Sequence, residues 1–407
     1  MSEILVKNAT EIATTVGGIK RGGALKELYL IHGGSIYIKN GLIQSIGELD
    51  DFEHLIAGNP EIIDAAGMTV TPGFIDAHTH LVFAGTREDE FSMRIGGATY
   101  REIAERGGGI KKTVKDTRLA SKTELVETAG AYLEHALRNG TTTMEVKSGY
   151  GLNLETELKM LEVVEELNQI QPVELIPTFL GAHAFPEDVS RDEYIQSILD
   201  MLPSVSGKAK FCDVFCEEGY FTIDESRAIL EKAKEYGLSP RIHADQLTSN
   251  GGAKLAVEVG AVSVDHLEHV TDEEIEILAQ SDTTAILLPG VSFFLNYGYP
   301  PARKIIDAGC ITAIATDFNP GSCMCISMQM VMSIACTQMG MTPEEVLNAS
   351  TINAAYSLGL TNVGSLETGK QAEVLIMDVP NYKMIPYFFG ENHVNTVIKK
   401  GSVVWTR

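Results

Sequence analysis

The middle of the chain alternates short apolar runs with longer segments of helical periodicity. This βα rhythm is typical of a parallel sheet whose strands are connected by helices. The apolar runs predict strands near residues 73–78, 142–147, 174–179, 211–216, 240–244, 262–266, 284–288 and 311–316. Eight such strands predict an α/β fold, a (β/α)8 TIM-like barrel over residues 71–360.

Two helices of this middle part have recognisable starts. Ser121 stands three residues before Glu124, which predicts a capping box, and the following periodic segment ends at Asn139-Gly140. Thr342 and Glu345 repeat the capping pattern with Pro343 at the first helical position.

The two chain ends resemble each other rather than the middle. Residues 35–47 alternate apolar and polar positions and turn at Asn40-Gly41, which predicts a β-hairpin. Further strand-like runs lie at residues 374–377, 394–397 and 403–405. We therefore expect residues 1–70 and 361–407 to form one small β-sandwich domain built from both chain ends.

The composition is that of a folded, acidic protein. Of 407 residues, 44% are hydrophobic and 21% charged, and 32 Lys+Arg against 55 Asp+Glu give a net charge of −23. This balance argues against nucleic acid and against an anionic membrane surface as partners, because both are bound by clustered Lys and Arg. A small anionic substrate is not excluded.

Targeting features and cysteines favour a cytoplasmic protein. The N-terminus has no basic segment leading into an apolar one, and no apolar run approaches the roughly 20 residues that span a membrane. Six cysteines are sparse for this length and predict reduced thiols. Cys323 and Cys325 are separated by one residue with no second pair nearby, which is a weak indication of a metal site.

Five of the ten histidines lie at or just after the end of a predicted strand: His78, His80, His183, His243 and His266. Catalytic groups of α/β barrels occupy this end of the strands. The placement therefore marks all five as candidate site residues.

Four strand-end residues together predict a metal site. His78 and His80 are two residues apart and project to one side of an extended segment, although an incidental pair would look the same. His243 ends an apolar strand and alone could be a core histidine, and Asp317 needs a polar partner at the end of its strand. Three imidazoles and one carboxylate form a ligand set for a divalent metal.

With this ligand set at the strand ends, the chain resembles the amidohydrolase superfamily. Five segments in chain order, each on the C-terminal side of a predicted strand, carry a narrower resemblance to one group of ring-opening enzymes within it. The resemblance extends over essentially the whole chain, including the split β-domain. The segments are residues 83–91 (FAGTREDEF), 107–110 (GGGI), 145–152 (EVKSGYGL), 181–183 (GAH) and 317–322 (DFNPGS).

The resemblance implies a metal-dependent hydrolase of a cyclic amide. One Zn²⁺ or Fe ion per subunit would lie on His78, His80, His243 and Asp317. Metal-activated water would hydrolyse 4-imidazolone-5-propanoate to N-formimino-L-glutamate, a step in L-histidine degradation. A homodimer is the expected assembly, and imidazole nitrogen suits zinc and iron alike.

The resemblance also implies a set of substrate-binding residues. Arg87 would pair with the propionate, for which its planar guanidinium is well matched, although a salt bridge with the adjacent acids is the alternative. For Tyr150 the alternative is a packing aromatic. The residues expected to hold the ring and the side-chain carboxylate are Tyr100, Tyr150, His183, Asn319, Gly321 and Ser322.

Three residues are candidates for the catalytic chemistry. Asp317 would accept a proton from water, and His266 would hydrogen-bond the nucleophile or the developing oxyanion, unless it only supports the metal ligands. Gln246 occupies the position of a proton-shuttling glutamate in related pyrimidine deaminases. Because an amide does not titrate, Gln246 would instead orient a ring nitrogen or carbonyl.

Two other functions remain open from the sequence. One is a hydrolase or deaminase of the same superfamily that acts on an uncharged heterocycle, for which Arg87 would be dispensable. The other is a non-catalytic scaffold that has lost its metal, which the presence of all four predicted ligands disfavours.

Overall fold

Sixteen strands in two sheets make up the β structure of the computed structural model, which describes residues 3–56, 58–98, 102 and 107–407. The strands are β1 (Glu3–Thr14), β2 (Tyr29–Lys39), β3 (Leu42–Gly47), β4 (Glu61–Asp64), β5 (Thr69–Pro72), β6 (Phe74–Asp76), β7 (Thr141–Lys147), β8 (Glu174–Ala182), β9 (Phe211–Cys216), β10 (Ser239–Ala244), β11 (Ser263–His266), β12 (Thr284–Leu287), β13 (Ile311–Ile314), β14 (Val374–Met377), β15 (Val394–Lys399) and β16 (Ser402–Thr406).

The first sheet joins both chain ends, as predicted. Its order is β16-β15-β14-β5-β1-β2-β3, with β4 paired to β1. Strand β14 runs antiparallel to β5, with Val374 opposite Pro72. The predicted hairpin is β2–β3, and its turn residues Asn40 and Gly41 have φ of +55° and +79°, as a two-residue turn of type I′ requires. The domain boundaries at residues 70 and 360 stay a prediction.

The second sheet is the predicted barrel of eight strands, in the order β13-β12-β11-β10-β9-β8-β7-β6, with all neighbours parallel. Each of its strands overlaps a predicted one, which confirms the fold class. The strands are buried along their whole length apart from a few half-buried positions, because helices cover the outside and side chains fill the inside.

Helices connect the strands, and both predicted capping boxes are present, at Ser121 and at Thr342. No helix in the described part of the chain is long and apolar enough to cross a membrane. The α-helices span Leu49–Phe52, Glu88–Ile95, Ile110–Leu119, Lys122–Arg138, Leu154–Ile170, Arg191–Val205, Ile223–Glu235, Gly252–Glu258, Asp272–Ala279, Pro289–Leu295, Ala302–Asp307, Met328–Met339, Pro343–Ala349, Ile352–Ser357 and Met384–Tyr387. Short 3₁₀ turns lie at Gly22–Lys26 and Glu53–Leu55.

The barrel closes between its first and last strands, just beyond their C-terminal ends. The Asp317 amide donates to the His78 carbonyl at 3.0 Å, and the His80 amide donates to the Phe318 carbonyl at 2.9 Å. Thr316 donates to the Asp76 carboxylate through its amide at 3.0 Å and its hydroxyl at 2.6 Å. This seam brings the histidines of the first strand beside the aspartate of the last.

Candidate active site

The four predicted metal ligands meet at the C-terminal end of the barrel. Nε2 of His78 and Nε2 of His80 lie 3.4 and 3.3 Å from Oδ1 of Asp317, and Nε2 of His243 lies 3.4 Å from Nε2 of His80. At most 4% of any of these four side chains is exposed. The sequence therefore identified residues that the fold brings together.

Two buried aspartates orient two of these histidines. Oδ2 of Asp265 lies 2.6 Å from Nδ1 of His78, and Oδ1 of Asp213 lies 3.0 Å from Nδ1 of His243. Burial acts to raise the pKa of each aspartate, but Arg241 beside Asp265 and His243 beside Asp213 outweigh it, so both pKa values fall below the ordinary range. Ionised carboxylates can only accept, so each Nδ1 donates, and a ring that binds a metal as neutral imidazole then uses the lone pair of Nε2.

The inward-facing atoms fit a divalent metal ion. Nε2 of His78 and Oδ1 of Asp317 are buried and have no hydrogen-bond partner among the described residues. Burial acts to raise the pKa of Asp317, but the neighbouring His78 and His80 imidazoles lower it well below its ordinary value, so the group is a carboxylate. Unsatisfied imidazole nitrogens around a carboxylate oxygen are the donor set of a zinc or iron site.

His266 reaches the same centre from the next strand. One of its ring nitrogens lies within 4.8 Å of the ligand atoms of His78 and Asp317. Its backbone has φ of +86°, an uncommon conformation for a residue with a side chain, and the residue is buried. Nδ1 lies 3.7 Å from the Glu268 carboxylate and has no hydrogen-bond partner among the described residues. The geometry therefore leaves the ring available to a reacting group.

Arg87 lies at the turn that follows Asp317. Its Nε and Nη2 each contact Oε2 of Glu90 at 2.8 Å, and Oε1 of Glu90 accepts from the Gly109 amide at 3.0 Å. The guanidinium also packs against Gly321, where an added Cβ would lie 2.1 Å from Nη1. Arg87 thus pairs with one of the adjacent acids, but only 16% and 11% of the two side chains are exposed, so the pair is not a surface salt bridge, and it fixes the guanidinium against Gly321.

The close approach of Arg87 to Gly321 gives a testable prediction. We expect Gly321→Ala to raise the KM for a carboxylate substrate at least about tenfold, because the new methyl group must push the Arg87 guanidinium out of its position. Steady-state kinetics measure the effect. Gly23→Ala is the matched control, since an added Cβ there meets no atom within 4 Å. An unchanged KM in Gly321→Ala would mean that Arg87 does not bind substrate from this position.

Asn319 builds the turn between Asp317 and Ser322. Its Oδ1 accepts from the amides of Gly321 at 2.9 Å and Ser322 at 2.8 Å, and its Nδ2 donates to the Asp317 carbonyl at 2.8 Å and the Ser322 hydroxyl at 2.7 Å. Such a side-chain turn fixes the local backbone. The substrate-binding roles of Asn319, Gly321 and Ser322 stay predictions.

Tyr150 and His183 pack against His80 and against each other. The ring of His183 stacks on His80 at 5.0 Å, and the ring of Tyr150 lies 5.8 Å from His80 and 5.3 Å from His183. Burial, followed by the neighbouring His80, lowers the pKa of His183 to about 3, so the ring is neutral. Nδ1 of His183 then donates to the Gly149 carbonyl at 3.0 Å, which leaves Nε2 as an acceptor.

Gln246 and Tyr100 are the two remaining predicted site residues. Gln246 is half-buried and donates from Nε2 to the Tyr297 hydroxyl at 3.1 Å. Its backbone amide donates to the Glu217 carboxylate at 2.9 Å. Tyr100 lies outside the described residues. The roles of both stay predictions.

The sequence did not identify the residues that support these side chains. Asp213, Asp265 and Glu90 orient site residues, and Glu157 accepts from the amides of Gly149, Gly151 and Leu152, on the loop that carries Tyr150. One signal was available for Asp213, a lone charge inside the apolar strand Phe211–Cys216. A charge within a barrel strand must be paired in the interior.

Comparison with known proteins identifies the family to which the chain belongs. Residues 69–404 match the model of the amidohydrolase family. The imidazolonepropionase of Geobacillus kaustophilus is 48% identical over 99% of this chain and 98% of its own length. That of Symbiobacterium thermophilum is 45% identical over 99% and 97%.

Among solved structures, the guanine deaminase of E. coli covers 100% of both chains with a TM-score of 0.75 and 16% identity. A zinc-containing adenosine deaminase from Xanthomonas campestris covers 100% of this chain and 93% of its own with a TM-score of 0.73 and 16% identity. Identities this low support the barrel fold alone. The family match and the full-length relatives show that the protein is a hydrolase of the amidohydrolase family and belongs to its imidazolonepropionase branch.

Proposed function

We propose that this site opens the ring of 4-imidazolone-5-propanoate by hydrolysing its cyclic amide, giving N-formimino-L-glutamate in L-histidine degradation. One observation carries the proposal: the turn from Asp317 to Ser322 begins at the metal-ligand cluster and packs Gly321 against the Arg87 guanidinium. The site thus combines a cluster of candidate metal ligands with a fixed guanidinium cation, and one short turn connects the two. A small heterocycle with a carboxylate side chain suits this combination.

The substrate carboxylate pairs with Arg87 in this proposal. Glu90 holds one edge of the guanidinium, and Gly109 fixes Glu90 in turn, so the cation keeps one orientation. The neutral His183 offers an acceptor to a ring N–H, and the amide of Gln246 offers a donor or an acceptor to the ring. Tyr150 and Ser322 complete the contacts with the ring and its side chain.

His78, His80, His243 and Asp317 would hold one divalent ion, Zn²⁺ or Fe. When bound, such an ion polarises the lactam carbonyl and lowers the pKa of water. Asp317 accepts a proton from the attacking water, and His266 hydrogen-bonds the developing oxyanion. The C–N bond of the lactam then breaks, and the proton held by Asp317 passes to the departing ring nitrogen.

A deaminase acting on an uncharged heterocycle is the less favoured function. Gln246 cannot carry a proton, and Arg87 would have no charge to bind. We further propose that the enzyme is cytoplasmic and forms a homodimer, with no nucleic-acid or membrane partner.

The test is a direct assay with and without metal. We expect purified protein to remove the ultraviolet absorbance of imidazolone propionate, to stop doing so after treatment with a chelator, and to recover when Zn²⁺ or Fe²⁺ is returned. Product analysis should find N-formimino-L-glutamate. A natively folded protein that contains no metal and leaves the substrate intact would contradict the proposal and favour a scaffold role.

A further inference from the structure

Lys147 lies at the centre of a buried ionic network inside the barrel. It ends strand β7, and none of its side chain is exposed. Its Nζ lies 2.7 Å from Oδ2 of Asp213, 2.8 Å from Oε1 of Glu145 and 3.9 Å from Oδ2 of Asp265. Three carboxylates therefore surround one ammonium group at a depth that water does not reach.

Two of these carboxylates are the ones that orient metal ligands. Asp213 gives Oδ2 to Lys147 and Oδ1 to Nδ1 of His243. Asp265 places Oδ2 at 2.6 Å from Nδ1 of His78 and faces Lys147 with the same oxygen. The two aspartates belong to different strands, β9 and β11, so Lys147 is a shared contact between two supports that the backbone does not couple directly.

A second cation reaches one of the two supports. Nη2 of Arg241 lies 3.3 Å from Oδ2 of Asp265 and donates to the Ala77 carbonyl at 2.8 Å, next to His78. Asp265 thus has a cationic partner other than Lys147. The support of His243 depends on Lys147 more strongly, because the Lys147–Asp213 contact is short and direct.

Burying an ammonium group costs free energy unless several well-placed acceptors surround it. Once surrounded, its donors restrict the rotation of those acceptors, and groups that orient metal-binding histidines affect metal affinity. The contacts of Lys147 match this requirement, since two of its three carboxylate partners contact metal-binding histidines directly.

We propose that Lys147 is a positioning residue of the metal centre: it fixes Asp213 and Asp265 so that His243 and His78 present Nε2 at a common point. The inference rests on the metal site of the proposed function but not on its substrate. Its test therefore uses metal binding alone, which can fail while the assay with imidazolone propionate succeeds.

The experiment measures Zn²⁺ affinity by competition with a chromophoric chelator. We expect Lys147→Met to weaken Zn²⁺ binding about tenfold, the lower end of the 10- to 100-fold range found when the direct hydrogen-bond partners of metal ligands are removed, because Lys147 acts through those partners. The absorption spectrum of the Co²⁺-substituted protein should also change, because it reports how the histidines are arranged around the ion. A residue that only stabilised the barrel would leave that spectrum unchanged.

Lys399 provides a matched control in the other sheet. Its side chain is 2% exposed and pairs with Glu373 at 2.9 Å, so Lys399→Met also removes a buried ammonium group from an ion pair. We expect it to lower stability and to keep Zn²⁺ affinity within about twofold, since it contacts no residue of the metal centre.

A second variant answers the case in which Lys147→Met does not fold. Lys147→Met combined with Glu145→Gln removes one charge of each sign, and the glutamine can still accept from the Thr79 amide as Glu145 does at 3.1 Å. We expect this protein to fold and to show the same loss of Zn²⁺ affinity. Wild-type affinity in either variant would overturn the inference. Failure of both to fold while Lys399→Met folds would also overturn it, by assigning Lys147 to folding.

Discussion

Asp317→Asn is expected to lower kcat for ring opening by about 10³-fold or more. General acid–base groups contribute roughly 10²–10⁴-fold, and asparagine can neither accept the proton of water nor supply the negative charge that now faces two histidines. Oδ1 of Asp317 lies 3.4 and 3.3 Å from Nε2 of His78 and His80. An amide oxygen keeps the shape of the site. The Asp317→Asn protein should therefore retain part of the metal with which it is reloaded.

The measurement is the decay of substrate absorbance, together with metal analysis of the same sample. Gln246→Glu is the comparison, because it introduces a titratable group at the position where related deaminases have one. We expect its kcat to change by less than about fivefold, because Gln246 carries no proton in the reaction, while the loss of its hydrogen bonds to the ring should appear in KM. The reverse result, a modest loss in Asp317→Asn and a large change in Gln246→Glu, would transfer the proton-accepting role to position 246.

Arg87→Met should raise KM for imidazolone propionate about 10- to 100-fold and change kcat much less. Hydrogen bonds to charged groups contribute roughly 1.5–3 kcal/mol, and the interaction is present in both the ground state and the transition state. The variant should lose little with an analogue that lacks the carboxylate. Comparing the KM values of the two compounds isolates the charge interaction from any general disturbance of the loop.

Arg94→Met is the control for Arg87→Met, because Arg94 lies on the helix Glu88–Ile95 that directly follows Arg87. The Arg94 guanidinium stacks on Phe294 at 4.9 Å and on Phe91 at 5.7 Å, so it has a packing role nearby. We expect its KM to stay within about threefold of wild type. Equal KM increases for the substrate and its uncharged analogue in Arg87→Met would show that Arg87 only supports the fold.

The strands and the meeting of the four candidate metal ligands were predictable because each depends on local sequence. A buried parallel strand needs an apolar run, and His78, His80, His243 and Asp317 each stand at the end of one. The prediction required only that strand ends meet at one edge of the barrel. The order of the predicted strands along the chain then identified the residues at those ends.

The supporting network was not predictable in the same way. Asp213, Asp265 and Lys147 lie on three different strands, and which carboxylate faces which histidine depends on strand register and on barrel closure. The register places His243 opposite Phe215 and opposite Asp265, and no local pattern fixes those pairings. The pair of Arg87 with Glu90 was open from the sequence because an exposed salt bridge and a substrate-binding cation use the same residue types.

The seam of the barrel sets the time at which the active site can exist. Asp76 and Thr316, which seal it, are 240 residues apart along the chain. Once the ribosome has synthesised β6 and the residues directly after it, the chain contains the candidate ligands His78 and His80. Asp317, which completes the set, is among the last parts of the barrel to be synthesised. A nascent chain therefore lacks the last of the four candidate ligands for most of its synthesis, and the site can be completed only after the last barrel strand has been made.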